Sequence, residues 1–340
     1  MKSQEYWRKR SEELGSRQFR KADSYINRLQ KEYAKAWNSM QRDIETFYMR
    51  FADNNEISYA EAKKLLDAGE LREFRMTLEE FTSKAKDNVD HRWTKELNNV
   101  YYRTRISRLE ALQIQLRHQI EMLSEGTKRG TDGLLSDTYT DTYYRTLFEI
   151  QKGTGIGVTF AKIDSEAAGK IISNKWLSAN YSERIWANKA KLIRELDTNL
   201  AQSLIRGDNV NKTARILSKR MQVSFSNAAR LVQTESAHIT SQATFDSYKA
   251  SGVVEKYEFL ATLDRKTSKV CRHMDGKVFL LSEKKEGVNF PPLHPRCRST
   301  TVAFFYDDEV GVRAAKGKNG KTYYVPGDIH YEEWYKQFVD

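Results

Sequence analysis

The placement of proline constrains this chain more than any other feature. All four prolines stand at positions 291, 292, 295 and 326. Before Pro291, no residue lacks a backbone N–H or brings a ring against the preceding helical turn. The spacing of apolar residues then predicts a mainly helical body. Ile26, Leu29, Tyr33, Trp37, Met40, Ile44, Phe47 and Phe51 recur at intervals of three and four, which places them on one stripe of a long amphipathic helix. Such a stripe is buried against a partner helix or subunit, and core packing accounts for it without a cofactor.

Further along, Ser58 and Glu61 fit a capping box opening a short helix that Gly69 ends. A second long helix is expected from about Val89 to Leu123. The Gly-, Ser-, Thr- and Asp-rich run from Ser124 to Asp137 reads as a loop, and a boundary falls there. After an aromatic helix (YTDTYYRTLFEIQ), the stretch KGTGIGVTF has no GK[ST] and no strand–turn–helix spacing, so it reads as a flexible turn and not as a phosphate cradle. Helices follow over Ser182–Ile205, Asn211–Met221 and Ser224–Ala250, with Ser224 as N-cap of the last and Gly252 as its stop. Beyond Gly252, the segments VEKYEFLAT, KVFLL and RSTTVAF are rich in β-branched and aromatic residues and separated by turn-formers, which predicts a small antiparallel sheet. The fold expected is mainly α, with long amphipathic helices followed by a small C-terminal α+β module. Its divisions are an N-terminal helical region (1–130), a central helical region (131–222), the α+β module (223–306) and a partly mobile tail (307–340).

Composition narrows the function classes. With 39% hydrophobic and 11% aromatic residues, the chain carries enough apolar surface to fold. No apolar run approaches the ~20 residues of a membrane span, and the N-terminus has no hydrophobic signal core. No membrane partner and a cytoplasmic origin are therefore expected. The net charge of +11 favours a polyanion, since each Lys or Arg meeting a phosphate releases counterions. Double-stranded DNA is the first candidate, and solvated helix faces are the plain alternative.

The residues richest in chemistry lie between Asp264 and Arg298. Both cysteines of the chain, Cys271 and Cys297, and two of its six histidines, His273 and His294, fall there. Thiolates with imidazoles suit zinc, and these four residues are the candidate ligands. His294-x-x-Cys297 has good turn spacing. Cys271-x-His273 is tight, and the two side chains share a side only if the segment is extended, not helical. Four readings fit: a structural zinc site, reduced thiols packed in a small core, a redox-sensitive Cys271–Cys297 pair, and a catalytic zinc with Asp264 or Asp275 as base.

These same residues carry a family resemblance. The helix AARLVQTESAHITSQATFDSYKASGV, then KYEFLATLDRKTSKVCRHMDGKVF, then NFPPLHPRCRSTTV resemble, in order and spacing, the head-morphogenesis or minor head proteins of tailed phages, the MuF-like module. The likeness is clearest over 209–303. Gln233 stands where many members carry Arg, and Ser299 where some carry a second Cys. The resemblance implies a virion protein of the phage head interior or portal vertex, made in the host cytoplasm and acting in procapsid assembly, DNA packaging or ejection. Its implied partners are the portal protein or other head proteins, with double-stranded DNA nearby. A catalytic role is not expected: no Ser-His-Asp order, nucleophile elbow or HExxH is present. Arg230, Thr234 and Glu235 are expected to hold the helix to the module. Asp264, Cys271, the Asp275-Gly276 turn, His294, Pro295, Cys297 and Arg298 are expected to fix its turns. Two other classes remain open, a non-specific DNA-binding protein delivered with the genome and a metal-dependent nucleic-acid-processing enzyme centred on 264–297.

Overall fold

The computed structural model describes residues 2–53, 108–157, 160, 162–163, 165–176, 178–206, 208–305, 312–316, 322–326, 329 and 331–338. The expected capping box at Ser58 and the expected helix between Val89 and residue 107 lie outside them. Among the described residues, five helices come first: α1 (Gln4–Asp53), α2 (Arg108–Thr154), α3 (Ser165–Ser173), α4 (Tyr181–Arg206) and α5 (Val210–Ser251). Then come β1 (Lys256–Leu260), α6 (Lys269–Met274), β2 (Val278–Leu280), β3 (Thr300–Phe304), β4 (Val312–Lys316), β5 (Thr322–Pro326) and α7 (Tyr331–Phe338). The fold is mainly α with a small C-terminal α+β portion, as the sequence predicts. No helix among the described residues is long and apolar enough to cross a membrane.

The chain divides into two compact units. One comprises Leu29–Thr127 and Ile185–Asn227. Its buried stripe on α1 runs through Leu29, Tyr33, Ala36, Met40, Ile44 and Phe47. Trp37 is only half-buried, at the stripe's edge. Polar contacts tie the helical segments together: Arg117 pairs with Asp197 at 2.6 Å, and Lys189 with Glu121 at 2.9 Å. Ser224 is a correction to the sequence reading. It caps nothing, because α5 runs unbroken through it, and its Oγ lies 3.0 Å from Asn188 Nδ2 and 3.3 Å from Tyr33 OH. Gln222 and Val223 offer no helix-breaking chemistry, so a cap-type residue alone does not start a new helix.

The other unit comprises Met1–Arg28, Lys128–Arg184 and Ala228–Asp340. The loop expected over 124–137, which runs from the end of the first unit into this one, is helix. Thr127 Oγ1 bonds back to Leu123 O at 2.7 Å, and Lys128 pairs with Asp132 four residues on at 2.9 Å. Gly130 is a packing position: a Cβ built there would lie 2.7 Å from the Tyr25 ring.

The sheet order is β2-β1-β3, antiparallel throughout, with Tyr257 opposite both Phe279 and Ala303. Its core joins Tyr257, Leu260 and Val302 to Phe245 and Tyr248 of α5, Ile150 of α2 and Trp7 of α1. The strand residue Glu258 is buried, and Arg8 meets it at 3.0 Å while Gln4 Nε2 donates to it at 3.0 Å. The tail expected from 307 is also corrected. β4 and β5 pair antiparallel, Leu263 bridges to Ala315, and Ala315, Val325, Ile329, Tyr331 and Trp334 form a core with Leu263.

Candidate functional site

The loop after β1 builds the site. Asp264 Oδ1 accepts from Lys266 N at 2.8 Å and from Thr267 Oγ1 at 3.1 Å, closing an Asx-type turn. Arg298 grips the same carboxylate through both terminal nitrogens, one of them 2.8 Å from Oδ1. Burial alone would raise the Asp264 pKa, but the hydrogen bonds and charge of Arg298, with Lys266 N–H and Thr267, hold it below the usual range. Ser268 then caps α6, accepting from Cys271 N at 3.3 Å. Asp275 ends the helix, and its Oδ1 accepts from Ala261 N at 2.8 Å. Gly276 takes φ +77, a left-handed value suited to glycine, and its N–H reaches Phe259 O at 2.9 Å, which sends the chain into β2.

The second half of the site is the turn His294–Cys297, closed by Cys297 N donating to His294 O at 3.1 Å. It brings Cys297 Sγ to 3.6 Å from Cys271 Sγ, and His294 Nε2 to 3.2 Å from Cys271 Sγ. One donor atom from each of Cys271, His294 and Cys297 lies within 4.8 Å of the others. Both cysteines are buried and neither is in a disulfide. The hydrogen bond between the two sulfurs and burial raise the Cys271 pKa, and the same hydrogen bond, with His294 and backbone N–H groups, lowers that of Cys297 against burial. His294 is raised, first by its neighbouring Cys297.

The structure does not bring His273 to this cluster. Cys271 and His273 sit two apart on helix α6, which turns them to different sides, and His273 Nε2 lies 3.0 Å from Lys277 Nζ. Thr234 does reach the module, accepting from Arg296 N at 3.1 Å, and Arg296 itself sits at φ 61. Pro295 contributes its carbonyl, 2.8 Å from His294 Nδ1. Arg230 offers its carbonyl to Thr234 Oγ1 at 2.7 Å. Glu235 points elsewhere. It is buried, accepts from Trp176 Nε1 at 2.7 Å and pairs with Arg184. Burial raises the Glu235 pKa although Trp176 and Arg184 pull against it.

Sequence reasoning missed Ser268, Trp176, Arg184 and Arg272. Ser268 carried a signal, an N-cap residue three before Cys271. Trp176 and Arg184 carried none, lying more than fifty residues from Glu235. The Arg272 guanidinium stacks 4.4 Å from the Tyr331 ring centre, a partner visible only once α7 is known to return to the site.

Comparison with known proteins follows the same segment. Residues 194–302 match the family of Phage Mu protein F like proteins. The match takes in the second half of α4, all of α5 and the chain into β3, and it agrees with the resemblance read over 209–303. The chain is 23% identical over 324 residues to Minor head protein GP7 of Bacillus phage SPP1, covering 91% of each. It is 19% identical over 258 residues to NAD(+)--arginine ADP-ribosyltransferase EFV of Enterococcus faecalis, covering 72% of this chain but 52% of that protein. The chain thus spans about half the length of the second of these relatives. No solved structure matches.

Proposed function

We propose that this chain is a structural minor head protein of a tailed-phage particle, acting in head morphogenesis near the portal and the packaged DNA, and assembled in the host cytoplasm. One observation carries the reading: the likeness to Minor head protein GP7 runs over 91% of both chains, so it extends well outside the Mu F-like segment. The likeness to the ADP-ribosyltransferase leaves about half of that protein unmatched, and it supports no transferase role here. The net charge of +11 favours a position beside DNA.

Purified particles of a phage encoding this chain test the reading by quantitative mass spectrometry. A few copies per particle, and a head-assembly or packaging defect on deletion, are expected. Absence from finished particles with normal heads on deletion overturns it. The DNA part is tested separately with the purified chain and duplexes of unrelated sequence. Affinity should be equal across sequences and fall linearly as the logarithm of salt rises. A salt-insensitive or undetectable interaction removes the DNA part and leaves the head assignment standing.

A further inference from the structure

We propose that Cys271, His294 and Cys297 together bind one zinc ion, with an oxygen donor completing the coordination, and that this ion staples α6 to the His294–Cys297 turn. The inference is independent of the functional reading above. Zinc–sulfur bonds of about 2.3 Å and zinc–nitrogen bonds of about 2.0 Å at tetrahedral angles put two sulfurs about 3.8 Å apart and a sulfur and nitrogen about 3.5 Å apart. The observed separations are 3.6 Å for the sulfur pair and 3.2 Å for Cys271 Sγ to His294 Nε2. Shifts of a few tenths of an ångström make room for the ion.

The histidine is oriented for the purpose. His294 Nδ1 lies 2.8 Å from Pro295 O, so in the neutral ring Nδ1 carries the proton and Nε2 keeps its lone pair on the side of the sulfurs. That second-sphere bond to a carbonyl is how zinc-binding imidazoles are commonly held. Ser268 Oγ, 2.8 Å from Nε2, places an oxygen beside the same nitrogen. Two thiolates with one imidazole favour zinc over magnesium or calcium, which take oxygen ligands. Binding displaces the remaining thiol protons into solvent. The staple secures the same turn that reaches Thr234 on α5 through Arg296 N, so the ion would fix how that turn meets α5.

The full chain, purified without chelator under reducing conditions, is assayed for zinc by elemental analysis. About one zinc per chain is expected, falling at least tenfold in Cys297→Ala and His294→Ala and unchanged in His273→Ala. Because the variants can fail to fold, the wild-type chain is also stripped of metal and titrated with Co²⁺. Sulfur-to-cobalt charge-transfer bands and intense visible bands of a tetrahedral site are expected at one equivalent. A wild-type chain that holds no zinc and gives no such cobalt spectrum overturns the proposal. So does loss of metal in His273→Ala equal to that in His294→Ala.

Discussion

Replacing Gly130 with alanine sets two physical effects against each other within one helix. Alanine is favoured over glycine in a helix interior by about 0.5–1 kcal/mol. At Gly133, where a built Cβ meets nothing within 4 Å, that gain should appear undiminished. At Gly130 the new methyl would meet Tyr25 Cε2 and OH at 2.7 Å and Cζ at 3.0 Å. Ordinary carbon contacts sit near ~3.5–4.0 Å, so the ring must withdraw by most of an ångström. It has little room, since Tyr25 is 7% exposed and its hydroxyl lies 3.4 Å from Thr131 Oγ1. Overpacking of this kind costs about 1–3 kcal/mol. Gly133→Ala should therefore stabilise by about 0.5–1 kcal/mol, and Gly130→Ala should fall below it by about 1–3 kcal/mol. Urea unfolding followed by far-ultraviolet circular dichroism measures the difference in midpoints at constant slope. If Gly130→Ala is as stable as Gly133→Ala, Tyr25 does not hold that glycine and the packing account of it is wrong.

Arg8→Ala should destabilise by about 3–5 kcal/mol, because it leaves the buried Glu258 carboxylate with Gln4 as its remaining named donor; a loss under ~1 kcal/mol in chemical unfolding, the range of a surface pair, would place Glu258 in water. His238 stacks on Trp176 with ring centres 4.2 Å apart, and burial, with Lys284 and Arg184 nearby, holds its pKa down to about 4. The unfolded chain then binds a proton between pH 6.5 and about 4 that the folded chain refuses, so stability is full above that window and falls as pH drops through it, by up to about 3 kcal/mol. His238→Phe keeps a stacked ring and should flatten that slope, and identical slopes for both proteins would refute the assignment. Thr234→Val removes the acceptor for Arg296 N–H and should cost about 0.5–1.5 kcal/mol with faster hydrogen exchange at Arg296, and unchanged or slower exchange in the variant contradicts the bond.

How much was legible follows from which forces act locally. The α1 stripe was readable because its apolar period is set by the helix itself, and β1, β2 and β3 were readable from their enrichment in β-branched and aromatic residues with turns between. The run 124–137 was misread because glycine is ambiguous in sequence: it marks a turn when φ must be positive, as at Gly276, and a close approach when another ring presses on the backbone, as at Gly130. Ser224 shows the same limit for capping residues, whose hydroxyls serve distant partners as readily as a helix start. Around the candidate site, the gathering of Cys271, His294 and Cys297 was legible from composition and spacing. The exclusion of His273 was not, since it depends on whether three residues are helical or extended.

The pairing of Gln4 and Arg8 with Glu258, and of Trp7 with a core that includes Val302 and Ala303, joins segments some 250 or more positions apart in the sequence. During synthesis the amino-terminal turns emerge some 250 positions before the strand that shelters them. Until then Trp7 has none of those sheet residues to bury against, and that part of the unit cannot close. Contacts so distant along the chain make closure slow relative to helix formation. A ribosome-bound fragment ending before Lys256 should hold helices and remain protease-sensitive at its first residues, and the same residues should become protected only after β1 and β3 have left the exit tunnel.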